Sequence, residues 1–365
     1  MTDTVADCIE VDYRISAGDP AEVAHAIRVE QTIEFPFDLA PEWVQQQVVG
    51  RIESTLDRHV TISYDQGVVG GGITQLLNVL WGNVSLFPGV RITDLRLPDS
   101  YLAGLRGPRF GISGLRQLLR TPTGPLICTA VKPMGTSSQD LGKMAATIAA
   151  AGFHVIKDDH GLADQPWARW RERVRVISDH VSEANSKAGT NALYMPSLNV
   201  PADRIHDAAH EAKSVGAGAL LVLPAVSGFD AMRTLADDDS LALPIMAHPS
   251  FLGSNVVNPQ QGIDHGILFG TLMRIAGADI SIFPNYGGRF SFSPEECARI
   301  KDKCHAPLGS IPSSWPSPGG GMTLDRLSEL TDFYGQDVAL LIGGALHRGD
   351  LAANSRAMVE ALTHQ

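Results

Sequence analysis

The sequence predicts an α/β protein in which a small α+β domain precedes a C-terminal (β/α)8 TIM barrel. Two observations predict the barrel. From about residue 125 onward, eight apolar runs of strand length alternate with segments of helical composition and spacing, as expected for eight consecutive β-α units. Polar and glycine residues also follow several of these runs, where the loops of such a barrel carry the active site.

The first part of the chain lacks this alternation and predicts the small α+β domain. Its predicted strands are Cys8–Ile15, Val60–Tyr64 and Val84–Phe87, and its predicted helical segments are Ala21–Glu30 and Leu76–Leu80. Turn residues and arginines replace clear periodicity around residues 110–122. We therefore draw the two domains as residues 1–118 and 119–365.

The predicted strands of the barrel follow in chain order. They are Pro125–Val131, Phe153–Ile156, Ala192–Met195, Ala217–Leu223, Leu243–Ala247, Asp279–Phe283, Pro307–Ile311 and Asp337–Ile342. The helices predicted between them include Leu141–Ala151, Pro201–Val215, Gly262–Ala276 and Pro294–Lys303.

Composition narrows the class of protein. A net charge of -11 over 365 residues argues against nucleic acid or an anionic membrane as a partner. No apolar run approaches the roughly 20 residues needed to span a bilayer. The four cysteines have neither zinc nor redox spacing, and the N-terminus lacks the pattern of a signal peptide. These features predict a cytoplasmic protein that binds a small molecule.

The second predicted strand of the barrel runs directly into four ionisable residues, Lys157, Asp158, Asp159 and His160. Such charges must be solvated, paired with one another or bound to a metal, because burying them alone is costly. An aspartate at this place can also simply cap the next helix. The position at a barrel rim favours a functional site.

Other strand ends add polar groups to the same rim. Lys132 follows the first strand, His248 follows the fifth, and Arg289 lies in the loop after the sixth. Glycine runs follow the last two strands, including Gly320, Gly321, Gly343 and Gly344. Isolated glycines often only permit tight turns, but at these two strand ends they predict a phosphate site formed by backbone N–H groups.

Three segments, in this order, resemble the RuBisCO large-subunit superfamily: Cys128-Thr129-Ala130-Val131-Lys132-Pro133, Ile156-Lys157-Asp158-Asp159, and Gly343-Gly344 after the last strand. The segment Trp81-Gly82-Asn83-Val84 is similar to a further motif of that family. The resemblance covers nearly the whole chain, and it implies that the N-terminal domain is ferredoxin-like.

The resemblance also implies residue roles. Lys132 would move the proton in an enolisation. Lys157 would be carbamylated by carbon dioxide and bind Mg²⁺ with Asp159, an oxygen donor set that suits this ion. The metal would stabilise an enediolate as a Lewis acid. His160 stands where the family has a glutamate ligand, so it would bind the metal directly, bind it through water, or indicate a degraded site.

Residues outside the metal site take roles from the same resemblance. Asn83 would approach the substrate, and His248 would be a second acid or base or would orient a substrate hydroxyl. Glu30 would reach the barrel of a partner subunit and meet Arg289, which implies a homodimer with shared active sites. Without the resemblance, Glu30 is equally well an exposed carboxylate at a helix end.

Departures from the family define the expected reaction. Met134 replaces a second lysine, Pro249 replaces an arginine that grips phosphate, Ile282 replaces a histidine, and Arg289 replaces a loop lysine. Carboxylation of ribulose bisphosphate is therefore not expected.

The chain resembles the RuBisCO-like proteins of form IV, which enolise phosphorylated sugar derivatives. We expect isomerisation or C–C bond cleavage, because Asn83 differs from the lysine of the methionine-salvage 2,3-diketo-phosphate enolases, which stay an alternative.

Two further alternatives remain. A metal-free, aldolase-like enzyme would form a Schiff base on Lys132 or Lys157. The carboxylates of Asp158 and Asp159 beside Lys157 argue against this reaction, because they favour the charged ammonium and suppress its nucleophilicity. The last alternative is a non-catalytic regulatory homologue, against which the presence of both lysines, Asp159 and both glycine runs argues.

Overall fold

The computed structural model describes residues 8–290 and 292–363. The chain forms two compact units. The first comprises the chain up to Leu105 together with Leu252–Leu268 and Pro307–Ile311, and the second comprises Arg106–Phe251, Phe269–Ala306 and the chain from Pro312 onward. The domain boundary drawn between residues 118 and 119 stays a prediction.

The strands, in chain order, are β1 (Cys8–Ile15), β2 (Arg51–Leu56), β3 (His59–Asp65), β4 (Val90–Arg96), β5 (Leu126–Val131), β6 (Val155–Asp158), β7 (Leu193–Met195), β8 (Leu220–Val222), β9 (Ile245–Ala247), β10 (Gly262–Ile263), β11 (Ile280–Pro284), β12 (Trp315–Gly319) and β13 (Ala339–Ile342).

The α-helices are α1 (Pro20–Glu30), α2 (Glu42–Gln47), α3 (Gln66–Val69), α4 (Ile73–Trp81), α5 (Asp99–Leu102), α6 (Gly111–Leu119), α7 (Ser138–Ala150), α8 (Trp170–Ala188), α9 (Ile205–Ser214), α10 (Pro224–Ser227), α11 (Phe229–Asp237), α12 (Met273–Ile275), α13 (Pro294–His305), α14 (Leu327–Tyr334) and α15 (Leu351–Thr363). Short 3-10 turns and one π-helix, Gly266–Leu272, complete the described chain. No helix in the described ranges is long and apolar enough to cross a membrane.

The first unit contains a five-stranded sheet with the order β10-β4-β1-β3-β2. Every second residue of β1 is buried, which is the alternation of a strand with one covered face. Helix α1 starts at an Asp19 cap whose carboxylate accepts from the backbone N–H of Ala21 and Glu22. The small α+β domain is confirmed, but the strand predicted at Val84–Phe87 is wrong, because residues 83–86 form a 3-10 turn after α4.

The second unit contains an eight-stranded parallel sheet with the order β7-β6-β5-β13-β12-β11-β9-β8. Its two ends meet, since the backbone N–H of Leu221 donates to Pro196 O and the N–H of Leu198 donates to Leu221 O. The sheet is therefore closed into a barrel, and the predicted fold class is confirmed. Parallel strands surrounded by helices place all eight carboxyl ends on one rim.

Helix α6 packs at the opposite rim. Its Leu115 and Leu119 join a buried cluster with residues from the first positions of several strands, including Leu126, Val155 and Trp315. The N-terminal end of the barrel is thus filled by apolar packing. An active site is therefore expected at the carboxyl ends of the barrel strands.

The seventh barrel strand is not where the sequence predicted it. Pro307–Ile311 belongs to the first unit, and the strand is β12, whose sequence Trp-Pro-Ser-Pro-Gly reads as a turn. Pro316 and Pro318 lack an N–H, but the N–H of Trp315 still donates to Asp279 O on the side of β11. Toward β13, the Ser317 hydroxyl donates to Ala339 O at 2.8 Å. Alternate prolines thus leave one edge of this strand intact.

The helix predicted over Gly262–Ala276 is also partly wrong. Gly262 and Ile263 pair with β4 as a short parallel strand, and helical structure begins only at Gly266. Every residue from 262 to 276 is buried, so the segment has no exposed polar face whose period would distinguish a strand from a helix.

Candidate active site at the carboxyl rim of the barrel

Strands β5 and β6 bring the two predicted lysines together. Their register pairs Ala130 with Lys157 and Val131 with Asp158, and the N–H of Asp159 donates to Val131 O at 3.3 Å. Lys132 therefore lies beside Asp159, with 3.5 Å between its Nζ and Oδ1 of the carboxylate. The lysine predicted to move a proton and the carboxylate predicted to bind metal are neighbours.

Lys157 is buried, with 2 % of its surface exposed. Its Nζ donates to Asp158 O at 3.1 Å. Burial lowers the pKa of Lys157 to about 8, and the charge of Lys132 acts in the same direction, while Asp159 and Asp158 oppose it. The flanking carboxylates favour the charged amine, as expected, but desolvation outweighs them, so Lys157 has a larger neutral fraction than an exposed lysine.

Asp158 is part of the protein core rather than of the rim. Its carboxylate, fully buried, accepts from Arg173 Nε at 3.2 Å, from the Tyr194 hydroxyl at 2.8 Å and from the Ser197 N–H at 3.1 Å. Of the two consecutive aspartates, only Asp159 remains for chemistry.

The imidazole rings of His160 and His248 stack at the same rim, with their centroids 4.3 Å apart. The Ser250 N–H donates to His248 Nδ1 at 3.2 Å, so the proton of the neutral ring is on Nε2. Burial, with the charge of Lys157 next in importance, lowers the pKa of His248 to about 2. His248 is therefore a neutral hydrogen-bond donor at neutral pH.

Asp159 lies among positive and polar groups. Burial would raise the pKa of its carboxyl, but the adjacent His160 and the charges of Lys157 and Lys132 lower it well below the ordinary value. His160 Nδ1 is 3.7 Å from Asp159 Oδ1. The carboxylate is thus ionised and available as an oxygen ligand.

Within the described residues, no three His, Cys, Asp or Glu side chains converge to hold a metal ion. Asp159 and His160 supply two donors. A carbamate on Lys157 would supply an anionic oxygen as the third, and a buried lysine with a lowered pKa has more of the neutral amine that adds carbon dioxide. The residues fit Mg²⁺ only if Lys157 carries this modification.

The glycine residues after the last two strands have open faces. Gly320 adopts a φ of +99°, and a Cβ there would meet no atom within 4 Å. The positions of Gly343 and Gly344 are equally open, whereas a Cβ at Gly321 would lie 3.1 Å from Gly287 O. Backbone groups at Gly320, Gly343 and Gly344 can therefore approach an anion without interference from side chains.

The remaining predicted residues, Arg289, Asn83 and Glu30, lie in other segments of the chain. Arg289 is exposed, and its guanidinium lies 4.9 Å from the centre of the Phe290 ring. In the first unit, Asn83 Nδ2 donates to Glu30 Oε1 at 2.8 Å. Two residues 53 positions apart, each predicted for the site, are thus hydrogen-bonded to one another.

Sequence reasoning missed His347, which follows Gly343 and Gly344 in the turn after β13. Its Nε2 is buried without a hydrogen-bond partner among the described residues. Burial lowers the pKa of His347, and the positive charge of Lys132 lowers it further. A hydrogen bond with the backbone of Ala130 has the opposite effect, but burial outweighs it. The sequence signal that could have found His347 is its position, three residues after Gly344 in the turn that follows a barrel strand.

These features define a class of protein: a TIM-barrel enzyme whose carboxyl rim combines two lysines, an ionised carboxylate, two histidines and open glycine turns. Residues 111–284 match the family model described as ribulose bisphosphate carboxylase large chain, catalytic domain. The chain belongs to the RuBisCO large-chain family, and within it to the RuBisCO-like proteins of form IV.

Individual relatives agree with this assignment. The chain is 34 % identical to a 5-methylthioribulose-1-phosphate isomerase of Rhodospirillum rubrum, covering 94 % of this chain and 92 % of the relative. It is 29 % identical to a 2,3-diketo-5-methylthiopentyl-1-phosphate enolase of Bacillus pumilus, covering 94 % and 88 %. The crystal structure of a Rubisco-like protein from Rhodopseudomonas palustris superposes with a TM-score of 0.89 at 32 % identity, covering 98 % of both chains.

Proposed function

We propose that this RuBisCO-like enzyme removes a proton next to a carbonyl of a phosphorylated sugar derivative and stabilises the enolate, which then leads to isomerisation or C–C bond cleavage. Fixation of carbon dioxide is not its activity. The observation that carries the proposal is the contact between Lys132 and Asp159 at the carboxyl rim of the barrel, 3.5 Å apart and beside the buried Lys157.

Lys132 takes the proton in this proposal. A base must reach the substrate carbon and be supported by its surroundings, and Lys132 is half-buried between the solvent and Asp159. The neutral His248 donates from Nε2 to the carbonyl or to a hydroxyl of the substrate. Asn83 and Arg289 contribute further polar contacts to the substrate.

Carbamylated Lys157 and Asp159, with His160, would hold Mg²⁺, which supplies Lewis-acid stabilisation of an enolate when it is bound. Magnesium dependence is general among RuBisCO-like proteins. The lowered pKa of Lys157 supports the carbamate, because the neutral amine is the reactive form. Backbone N–H groups of Gly320, Gly321, Gly343 and Gly344 would bind the phosphate.

The relatives favour two outcomes of the enolate. The isomerase of R. rubrum supports isomerisation of a methylthio-pentulose phosphate, and the enolase of B. pumilus supports the 2,3-diketo-phosphate alternative. A Schiff base on Lys157 is the third candidate, since a pKa of about 8 leaves part of the amine nucleophilic. Reduction with borohydride in the presence of substrate would trap only this last intermediate.

The protein acts as a homodimer with shared active sites in this proposal, which follows from the family resemblance at Glu30, and the hydrogen bond between Glu30 and Asn83 holds these two predicted site residues together. A cytoplasmic location is part of the proposal and is supported by four unpaired cysteines.

The first test is exchange of the substrate proton with deuterium from solvent. We expect the purified enzyme, with Mg²⁺ and bicarbonate, to catalyse exchange in 5-methylthioribulose 1-phosphate or the 2,3-diketo phosphate. Lys132→Ala should reduce this rate by about 10²–10⁴-fold, the usual contribution of a general base. Exchange is followed by NMR.

Lys143→Ala is the matched control, because Lys143 is an exposed lysine paired with Asp140 on α7. It should exchange at the wild-type rate. Bicarbonate-dependent Mg²⁺ binding that disappears in Lys157→Ala would support the carbamate. Exchange that is equally fast in Lys132→Ala, or absent with both substrates, would reject the proposal.

A further inference from the structure

The loops after β11 and β12 contact one another through their glycines. We call residues 285–290, after β11, the Arg289 loop, and Gly320 and Gly321, after β12, the glycine turn. A Cβ at Gly288 would lie 3.2 Å from the carbonyl carbon of Gly320, and a Cβ at Gly321 would lie 3.1 Å from Gly287 O. The two backbones are therefore close-packed, with no room for side chains between them.

Arg326, in the 3-10 turn Leu324–Arg326, contacts both segments. Its Nη1 donates to Gly321 O at 3.2 Å. The same Nη1 is 3.1 Å from the position of a Cβ at Gly287. One guanidinium thus contacts the glycine turn and the Arg289 loop, and its side chain is only 21 % exposed.

Two further contacts hold the guanidinium in place. Glu329 accepts from Arg326 Nε at 3.1 Å and from Nη2 at 3.0 Å, a bidentate pair that fixes the orientation of the planar group. Tyr286, in the Arg289 loop, donates its hydroxyl to the same carboxylate at 2.9 Å, and its ring lies 5.3 Å from the guanidinium carbon. The Arg289 loop is thereby attached to Arg326 through Tyr286, and the guanidinium fills the space beside Gly287.

We propose that Arg326 is a positioning residue that couples anion binding at the glycine turn to the position of the Arg289 loop. The proposal rests on the phosphate site of the proposed function. A phosphate bound by the backbone N–H groups of the glycine turn would order that turn, and the contacts of Arg326 transmit this order to Tyr286 and Gly287, two to three residues from Arg289. The coupling is reciprocal, so an opened Arg289 loop weakens anion binding.

The test uses trypsin, because Arg289 is exposed and the bond after it lies within the loop. Cleavage of a native protein requires local opening, so its rate reports the open population of the loop. The probe is inorganic phosphate, with its dissociation constant measured by calorimetry for each protein. The peptide that ends at Arg289 is quantified by mass spectrometry.

In the wild type, the phosphate concentration is set at ten times the dissociation constant. Because opening of the Arg289 loop releases the ion in this proposal, bound phosphate should slow cleavage after Arg289 by about tenfold. In Arg326→Gln, at ten times its own dissociation constant, we expect protection of less than about twofold. The control is Arg171→Gln, an exposed arginine paired with Glu211 on the outer helices, which should be protected like the wild type. Glu329→Gln and Tyr286→Phe, which retain Arg326, should give intermediate protection and provide the test if Arg326→Gln does not fold.

Three results would overturn the proposal: no protection of the wild type, full protection of Arg326→Gln, or phosphate that no longer binds to Arg326→Gln. The last would make Arg326 a phosphate ligand rather than a coupling residue. Failure of the proposed enolisation is distinguishable, because it appears in deuterium exchange and leaves these cleavage rates unchanged.

Discussion

His154 precedes β6 at the N-terminal end of the barrel and is held as a neutral imidazole. Its backbone N–H donates to Ile127 O, and the Ile127 N–H donates to His154 Nδ1 at 3.0 Å. A protonated Nδ1 could not accept this hydrogen bond. Burial, and the nearby charge of Arg116, lower the pKa of His154 to about 4.

This histidine should make stability depend on pH. In the unfolded chain it is protonated below about pH 6.5, whereas folded His154 stays neutral down to about pH 4. The unfolded state therefore binds more protons in this window, and the free energy of unfolding falls as pH decreases through it. Between pH 7 and pH 5, the wild type should lose about 2 kcal/mol more than His154→Asn.

The asparagine variant is a suitable comparison because its Oδ1 can take the place of Nδ1 without titrating. Urea unfolding at several pH values measures the difference. Since every other titrating group is common to both proteins, parallel pH profiles would show that His154 is not buried as a neutral group.

At the level of elements, one buried ion pair links α8 to the barrel. Arg173 on α8 and Asp158 on β6 both have fully buried side chains. Arg173 Nη1 also donates to Ala163 O at 2.7 Å and Ala168 O at 2.8 Å, in the loop between the two elements. The guanidinium thus fixes the loop that follows Asp159 and His160.

Arg173→Met should destabilise the protein by about 3–5 kcal/mol, because it leaves the carboxylate of Asp158 buried without its cation. Arg171→Met, on the same helix but exposed and paired with Glu211, should cost about 1 kcal/mol or less. Denaturant unfolding compares the two. The double variant Arg173→Met and Asp158→Asn should recover part of the loss, and equal effects of the two single variants would contradict this account.

The elements that the sequence predicted best are those with a regular pattern. Strand β1 alternates and was predicted to the residue, and seven barrel strands overlap their predicted runs, because a buried parallel strand is a short apolar segment between turn residues. Strand β12 was missed since its two prolines and glycine imitate a turn. Its strand conformation depends on β11 and on the Ser317 hydroxyl, which are contacts distant in sequence.

For the whole molecule, strand ends located most of the ionisable residues that the structure brings to one rim, although His347 was missed. Lys132, Asp159, His160 and His248 were named from their positions after strands, and the barrel brings them together. Residues that act through long-range packing could not be found in this way. Arg326 lies in a turn before α14, and nothing in its local sequence indicates that it contacts two other loops.

The proposed homodimer has a consequence for activity that no single chain can test. If each active site combines Glu30 of one chain with the barrel of its partner, Glu30→Gln and Lys132→Ala damage the two sites of a mixed dimer unequally. One site receives both defects and the other receives neither. Co-expression with two affinity tags should then restore about one quarter of wild-type activity, because half of the dimers are mixed and each has one intact site.

The control is co-expression of Lys132→Ala with Lys157→Ala. Both changes lie in the barrel, so each site of the mixed dimer keeps one defect and no activity should return. Purification through both tags isolates the mixed dimer, in which the first pair should reach about half of the wild-type rate. If that dimer is as inactive as the control, each chain uses its own Glu30, and if Glu30 does not contribute to catalysis the dimer reaches half of the wild-type rate without any sharing of sites. The Glu30→Gln protein alone separates shared sites from a Glu30 without a role, because the half rate is evidence of sharing only if that protein is inactive by itself.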